Sequence, residues 1–302
     1  MRLIVALTCA TLLTSTTCPV EAEELSGTLK KIKERGAISL GFRDSSVPFS
    51  YLDNQQKPVG MAMDFCLAIA DAVREKLNDK SIKIDLLAVA PASRIALLTN
   101  GTTDLDCGAN TNNPERQKVL GFTNTIFLTA SKYVSKKNKN LHTVEDLRGR
   151  TIVSTSGSSN MRQIVQLNAQ RKLGLTILTA KDHAEGFLLV ENGRADAFVM
   201  DDILLASFIA ASKDPSAYEI SSEGMSKAEP YSIMLRKDDA PFKALADEAV
   251  ASILTSPRMA TLYDKWFTKP IPPHGINLNF PMSAQMKQAF AHPTDSPDPD
   301  AY

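Results

Sequence analysis

The chain has 302 residues, and its 34 Lys+Arg are matched by 34 Asp+Glu, so the formal net charge is zero. That balance argues against a basic nucleic-acid binder and against an acidic solvating tail. With 43% hydrophobic and 23% charged residues, the composition excludes disorder, collagen, coiled coil and a polytopic membrane protein. The length suggests two compact units.

Residues 1–22, MRLIVALTCATLLTSTTCPVEA, read as a secretory leader: Arg2 begins it, Leu3 to Leu13 is apolar, and small residues surround a cleavage point at Ala22. The Ser15-Thr16-Thr17 stretch ahead of Cys18 lacks the apolar and small residues of a lipoprotein anchor. No later stretch approaches ~18 consecutive apolar residues, so the mature chain is expected to be exported and unanchored. Cleavage would remove Cys9 and Cys18 and leave Cys66 and Cys107. One disulfide or two buried thiols are equally open for that pair. His142, His183, His274 and His292 are scattered without paired ligand spacing, so no metal site is expected.

Leu29 to Glu34 reads as a helix closed by Gly36, and Ala37 to Arg43 as a strand. A turn-rich stretch with Pro48, Asp53-Asn54 and Pro58 follows. Phe65, Ala68, Ile69, Ala72, Val73 and Leu77 recur at helical spacing over Asp64 to Leu77. Ile84 to Ala90 is a strand, Ser93 caps a helix through Leu98, and Asp104 to Cys107 is a short strand. A polar segment, SKYVSKKNKN, at 131–140 marks the start of a second unit. Thr143 caps a helix toward Leu147, and Thr151 to Thr155 is a strand. A long helix from Met161 to Lys172 follows, then a strand from Leu175 to Ala180 and a helix from Ala184 to Glu191. Ala195 to Met200 is a strand running into Asp201-Asp202, and Ile203 to Ser212 a helix. Ser232 to Leu235 is a strand, and Phe242 to Leu254 and Met259 to Phe267 are helices. The Pro-rich tail from Pro270 is expected to be largely irregular.

Strand–helix alternation predicts an α/β architecture, in which ligands sit at the carboxyl ends of parallel strands. The residues that follow strands form a coherent set. Arg43 ends the first strand and Arg94 opens a helix. Cys107 to Arg116 (CGANTNNPER) ends a strand in small and polar residues before an Arg. Thr155-Ser156-Gly157-Ser158-Ser159 leads into a helix whose free N–H groups favour an anion. His183 and Asp201 each follow a strand. Singly, each such residue is more often a surface charge or a helix cap. Together they imply a ligand with more than one anionic group and one cationic group.

The chain resembles a periplasmic solute-binding protein of the polar amino-acid uptake systems (solute-binding protein family 3), most closely the glutamate/aspartate-binding type. The resemblance runs from about Gly27 to Phe280. It is carried by GTLKKIKERG, SSVPFSYLDNQQKPVG, TNNPERQK, RTIVSTSGSS, AKDHAEG, GRADAFVMDD, MLRKDD and DKWFTKPIPP. It implies a two-lobed type II fold, with two mixed, mainly parallel sheets joined by a two-strand hinge. Residues 26–130 and 226–302 would form the first lobe and residues 131–225 the second.

By the same resemblance, Arg116 clasps a ligand α-carboxylate bidentately, helped by backbone N–H groups of Thr111 and Ser158. Asp201, the Thr111 hydroxyl and the Ala109 carbonyl receive the α-ammonium. Arg43, Arg94, His183 and Thr155 receive a side-chain carboxylate. The type usually has Ser near Pro91 and at Ala109. Pro91 removes a hydroxyl near the distal carboxylate and so bears on glutamate against aspartate.

The implied function is capture of acidic L-amino acids in the periplasm by hinge closure, and delivery to a membrane permease and its ATPase. No cofactor, nucleic acid or catalytic step is implied. An enzyme on the same fold, similar to cyclohexadienyl dehydratases, is the alternative. A Ser158/His183/Asp201 hydrolase lacks the G-x-S-x-G elbow. A receptor sensor would need a transmembrane segment after the domain.

Overall fold

In a computed structural model that describes residues 24–302, the chain builds two five-stranded sheets with the same internal order. The leader read at 1–22 lies outside the described residues. Across the first sheet the strands are Lys83–Ala88, Ala37–Phe42, Leu105–Asp106, Met234–Arg236 and Leu120–Phe122. Across the second they are Thr176–Ala180, Thr151–Thr155, Ala197–Asp201, Ser131–Lys136 and Tyr218–Ile220. Three parallel strands begin each sheet, in registers such as Ile38↔Ile84 and Ile152↔Ile177. The fourth strand of each runs against its neighbours.

That reversed strand is, in both sheets, the first one laid down after the chain crosses over. The crossings, Phe127–Thr129 and Glu229–Tyr231, pair antiparallel with Glu229 opposite Thr129 and Tyr231 opposite Phe127. They form a two-stranded ribbon between the sheets. Its aromatic residues are anchored among side chains of the first unit: Phe127 stacks on Phe267 at 5.0 Å, and Phe49 meets Phe127 edge-on at 5.0 Å and Tyr231 at 5.1 Å.

Central strands read as continuous apolar runs because both faces are covered: in AISLGF every residue from Ala37 to Gly41 is buried. The Lys83–Ala88 strand lies at an edge, leaving Leu86 and Leu87 exposed. The Gly27–Arg35 helix stops where expected, with Gly36 at φ 66° and its N–H on the Ile32 carbonyl.

Other boundaries differ for identifiable reasons. The helix expected from Asp64 begins at Met61, because Met61 and Ala62 donate N–H bonds to the distant Pro48 and Phe49 carbonyls. Ser93 does not cap the Arg94–Thr99 helix; its hydroxyl bonds back to the Ala90 carbonyl. The helix expected after Thr143 is one 3-10 turn, Glu145–Leu147, and Asp146 accepts from the Thr143 and His142 N–H groups rather than Thr143 acting as the cap. The polar stretch beginning at Ser131 starts as an internal strand, and its Ser131 and Ser135 are fully buried.

The tail also departs from expectation. Ala284–Ala291 is a helix, with Met286, Ala289 and Phe290 buried. Beyond it, Thr125 N–H bonds the Thr294 carbonyl at 2.8 Å and the Thr125 hydroxyl meets the Tyr302 hydroxyl at 2.6 Å. Eight residues with three buried side chains make a segment too short to hold a helix by itself, so the order comes from the surface they cover.

Cys66, on the Met61–Lys76 helix, and Cys107, just past the Leu105–Asp106 strand, are fully buried with sulfurs 2.13 Å apart. The bridge closes a loop of 41 residues. Replacing both by Ser is expected to lower the unfolding free energy by about 4 kcal/mol, the chain-entropy value for that span. Urea unfolding measures it, and a loss below about 1 kcal/mol would show that the link adds little.

Candidate functional site

All nine residues expected at a site lie where strands of the two sheets end, and the sheets turn those ends toward each other. Arg43 directly follows Ala37–Phe42, Arg94 opens the helix after Lys83–Ala88, and Ala109 and Thr111 follow Leu105–Asp106. Arg116 opens a 3-10 turn. On the second sheet, Thr155 ends one strand, Ser158 caps the Ser159–Arg171 helix, and His183 starts the helix after Thr176–Ala180. Asp201 ends Ala197–Asp201 and sits at the cap position of the next helix.

Seven of the nine line one nearly closed cavity of about 10 Å³: Arg94, Ala109, Thr111, Arg116, Ser158, His183 and Asp201. That is far below the ~300–1,000 Å³ of ordinary small-molecule pockets, so the walls lie nearly in contact across it. Arg43 and Thr155 are not in the wall. Thr155 meets the His183 ring Nδ1 through its hydroxyl at 2.9 Å, so it acts on the cavity through His183. Arg43 is fully buried, close enough to Arg94 for that charge to press on its own and close enough to His183 to disfavour a charged imidazole.

Three guanidiniums are buried together, and Arg43 Nη1, Arg94 Nε and Arg116 Nε have no hydrogen-bond partner among the described residues. Burial pushes the Arg43 and Arg116 guanidiniums below their ordinary range, and the neighbouring Arg94 charge adds to that. His183 is held well below the usual imidazole range, by burial first and then by Arg43 and Arg94, and is therefore neutral. Buried cations with idle N–H groups are costly unless an anion meets them. Arg116 is the most engaged, donating to the Thr111 carbonyl at 2.9 Å and to the Gly157 carbonyl at 3.3 Å.

The opposite charge stands at the other side. Asp201 is buried, with Asn160 Nδ2 donating to Oδ1 at 2.7 Å and the Tyr231 hydroxyl donating to Oδ2. Burial raises the Asp201 pKa, while those two donors and Arg116 pull it down. Asn160 also bonds the Ser131 hydroxyl at 3.0 Å, which fixes its orientation. The cavity thus offers spare donors at one end and a desolvated carboxylate at the other, with Pro91, Met200 and Leu204 as apolar wall. Such a site can hold a small zwitterion with surplus negative charge.

Contacts between the facing loops close the site. The Thr111 and Ser159 hydroxyls lie 3.1 Å apart, and Arg162 pairs with Glu115 at 2.8 Å. The strand-end segment of the sequence includes Ser159 but not Asn160 or Tyr231. Asn160 adjoins it, within reach of the same loop argument. Tyr231, on the ribbon, had no local signal. Among the described residues, no group of three or more His, Cys, Asp or Glu is placed to hold a metal ion.

Residues 38–269 match the bacterial extracellular solute-binding proteins, family 3. The L-glutamate/L-aspartate-binding protein of Pseudomonas aeruginosa PAO1 is 46% identical over 278 residues, covering 92% of each chain. The glutamate/aspartate import solute-binding protein of Escherichia coli K12 is 43% identical, over 91% of this chain and 90% of that one. Among solved structures, the P235GK mutant of ArgBP from T. maritima superposes with a TM-score of 0.71 at 24% identity, over 80% of this chain and 99% of that one. An ancestral arginine-binding protein bound to arginine gives 0.69 at 24% identity, over 77% and 99%. At these identities the structures establish the fold alone.

Proposed function

This chain belongs to the bacterial extracellular solute-binding proteins of family 3, and from that premise we propose that it captures L-glutamate and L-aspartate for import. It is a binding protein rather than an enzyme, and its curated relatives give no support to the dehydratase alternative. The observation that carries the ligand class is the excess of buried guanidinium over buried carboxylate in one small cavity. Arg116 clasps the α-carboxylate, with the Thr111 and Ser158 N–H groups. Asp201, held by Tyr231 and Asn160, receives the α-ammonium beside the Thr111 hydroxyl and the Ala109 carbonyl. Arg94 and His183 meet the distal carboxylate, backed by Arg43 and Thr155.

Residues 26–130 with 226–302 form one lobe, residues 131–225 the other, and the ribbon is the hinge about which they close on the ligand. Ligand binding stabilises the closed form through contacts that only that form makes. A leader at 1–22 delivers the chain to the periplasm, and a membrane permease with its ATPase receives the loaded, closed shape.

Calorimetric titration of the mature protein with L-glutamate, L-aspartate, L-glutamine and L-asparagine tests this. The two acids are expected to bind and the amides to bind far more weakly, because an amide leaves guanidinium charge uncompensated. Arg43→Ala should weaken acid binding by about 2 kcal/mol or more, and Arg43→Lys by less. Equal and negligible effects of the two would remove Arg43 from the ligand's surroundings.

A further inference from the structure

Glu229 lies outside the cavity wall but opens the Glu229–Tyr231 crossing strand, two residues before the tyrosine that holds Asp201. Its Oε1 accepts a hydrogen bond from Gln163 Nε2, on the Ser159–Arg171 helix. The remaining oxygens of the two groups, Glu229 Oε2 and Gln163 Oε1, are both shielded from solvent and have no partner among the described residues. Were Glu229 ionised, both would be acceptors with no donor, an arrangement proteins avoid. One proton satisfies both, since a protonated carboxyl is a donor at one oxygen and an acceptor at the other.

We propose that Glu229 is a neutral carboxylic acid in the closed protein and forms a two-way acid–amide pair with Gln163, acting as a positioning residue for the Ser159–Arg171 helix. This rests on the binding reading above. That helix brings Ser159 and Asn160 to the cavity, and Asn160 to Asp201. The pair ties the helix to the hinge ribbon, whose opposite residue, Thr129, donates to Asp202 at 2.7 Å.

The charges around Glu229 agree with the geometry. Asp201 opposes ionisation, while Arg116 and Arg162 favour it. Both cations have other acceptors: Arg162 pairs with Glu115, and Arg116 with the Thr111 and Gly157 carbonyls. Burial, then Asp201, pushes the Glu229 carboxyl up to about 8. A carboxyl raised in this way favours the closed form fully below its ordinary range of ~4.3. That contribution declines by about 1.4 kcal/mol for each pH unit above that range and is gone once pH has passed about 8. Ligand affinity should therefore fall as pH rises from about 5 to 8, a range in which the ligand's own ammonium stays charged, and level off beyond it.

The test uses mature protein carrying carboxyl-13C glutamate, with the Glu229 signal assigned by its loss in Glu229→Gln. In the protein loaded with unlabelled L-glutamate, that signal is expected to keep its protonated position at pH 6 and to move near pH 8. An ionised position already at pH 6 would overturn the pair. Calorimetry adds a functional readout. Glu229→Gln, whose amide can pair with Gln163 without a titrating proton, should keep affinity within about tenfold at pH 5 and lack the loss that wild type shows between pH 5 and 8. Glu229→Ala should be roughly tenfold weaker throughout. Identical affinity losses between pH 5 and 8 in wild type and Glu229→Gln would refute the proposal. If none of the four amino acids binds the wild type, the functional reading fails, while the 13C titration of the ligand-free protein still decides the protonation of Glu229.

Discussion

Arg116→Ala is expected to lower L-glutamate affinity by three orders of magnitude or more, the largest effect of any single substitution in the cavity. Its guanidinium has two of its nitrogens on the Thr111 and Gly157 carbonyls and its Nε idle and buried. Thr111 belongs to the first sheet's loops and Gly157 to the second's, so one side chain both presents donors to an anion and spans the closing cleft. Truncating a buried, hydrogen-bonded charge at a binding site costs ~2–5 kcal/mol, and the upper part of that range applies when the ligand carboxylate is left without its bidentate partner. Arg116→Lys keeps the charge but loses the planar fork, and should fall between wild type and Ala. Stability should move the other way. Burial and the Arg94 charge both press against this cation, so its removal should leave the ligand-free Tm unchanged or higher while erasing the rise in Tm that ligand produces. An Arg116→Ala protein within threefold of wild-type affinity would end the assignment of this residue as the clasp.

Gly157→Ala should be nearly as damaging, by a different route. Gly157 has φ +72°, and a methyl group there would stand 2.7 Å from the Pro91 carbonyl oxygen and 2.8 Å from the Ala92 Cα. Those atoms are backbone, so no side chain can swing aside. The left-handed conformation adds ~1–2 kcal/mol for a residue with a Cβ. The clash exists only when the loops of the two sheets meet, so folding of either unit should be little affected and closure should be blocked. Affinity is expected to drop at least 100-fold. Small-angle scattering should show no contraction of the variant on adding L-glutamate, whereas wild type contracts. If Gly157→Ala contracts as wild type does, the close approach at Pro91 is not a condition of closure. Pro91 thus has a second consequence, since its backbone forms the surface on which the Gly157 turn seats.

The bridging groups show where the reading of the sequence stopped. Arg43, Arg94, Arg116, His183 and Asp201 are legible because each lies in a segment that follows a predicted strand, and an α/β chain gathers such positions at one edge of a sheet. Gln163 and Glu229 were not. Gln163 is a polar residue on a long helix, and Glu229 stands in a short segment with no hydrophobic period. Their contact depends on how the ribbon places Glu229 against the helix. The same holds for Tyr231 and Asp201, which lie 30 positions apart.

Taken by itself, the order of residues determined the α/β class and the charge inventory of the pocket. These follow from local alternation and from side-chain chemistry, which a residue carries wherever it lands. Only the tertiary structure decided which oxygen meets which donor: Thr155 behind His183, Asn160 and Tyr231 on Asp201, Gln163 on Glu229, and the tail helix as a covering element. Periodicity reports that a face is buried, but not against what, and hydrogen bonding at these sites is satisfied by groups brought together through two distant crossings of one ribbon.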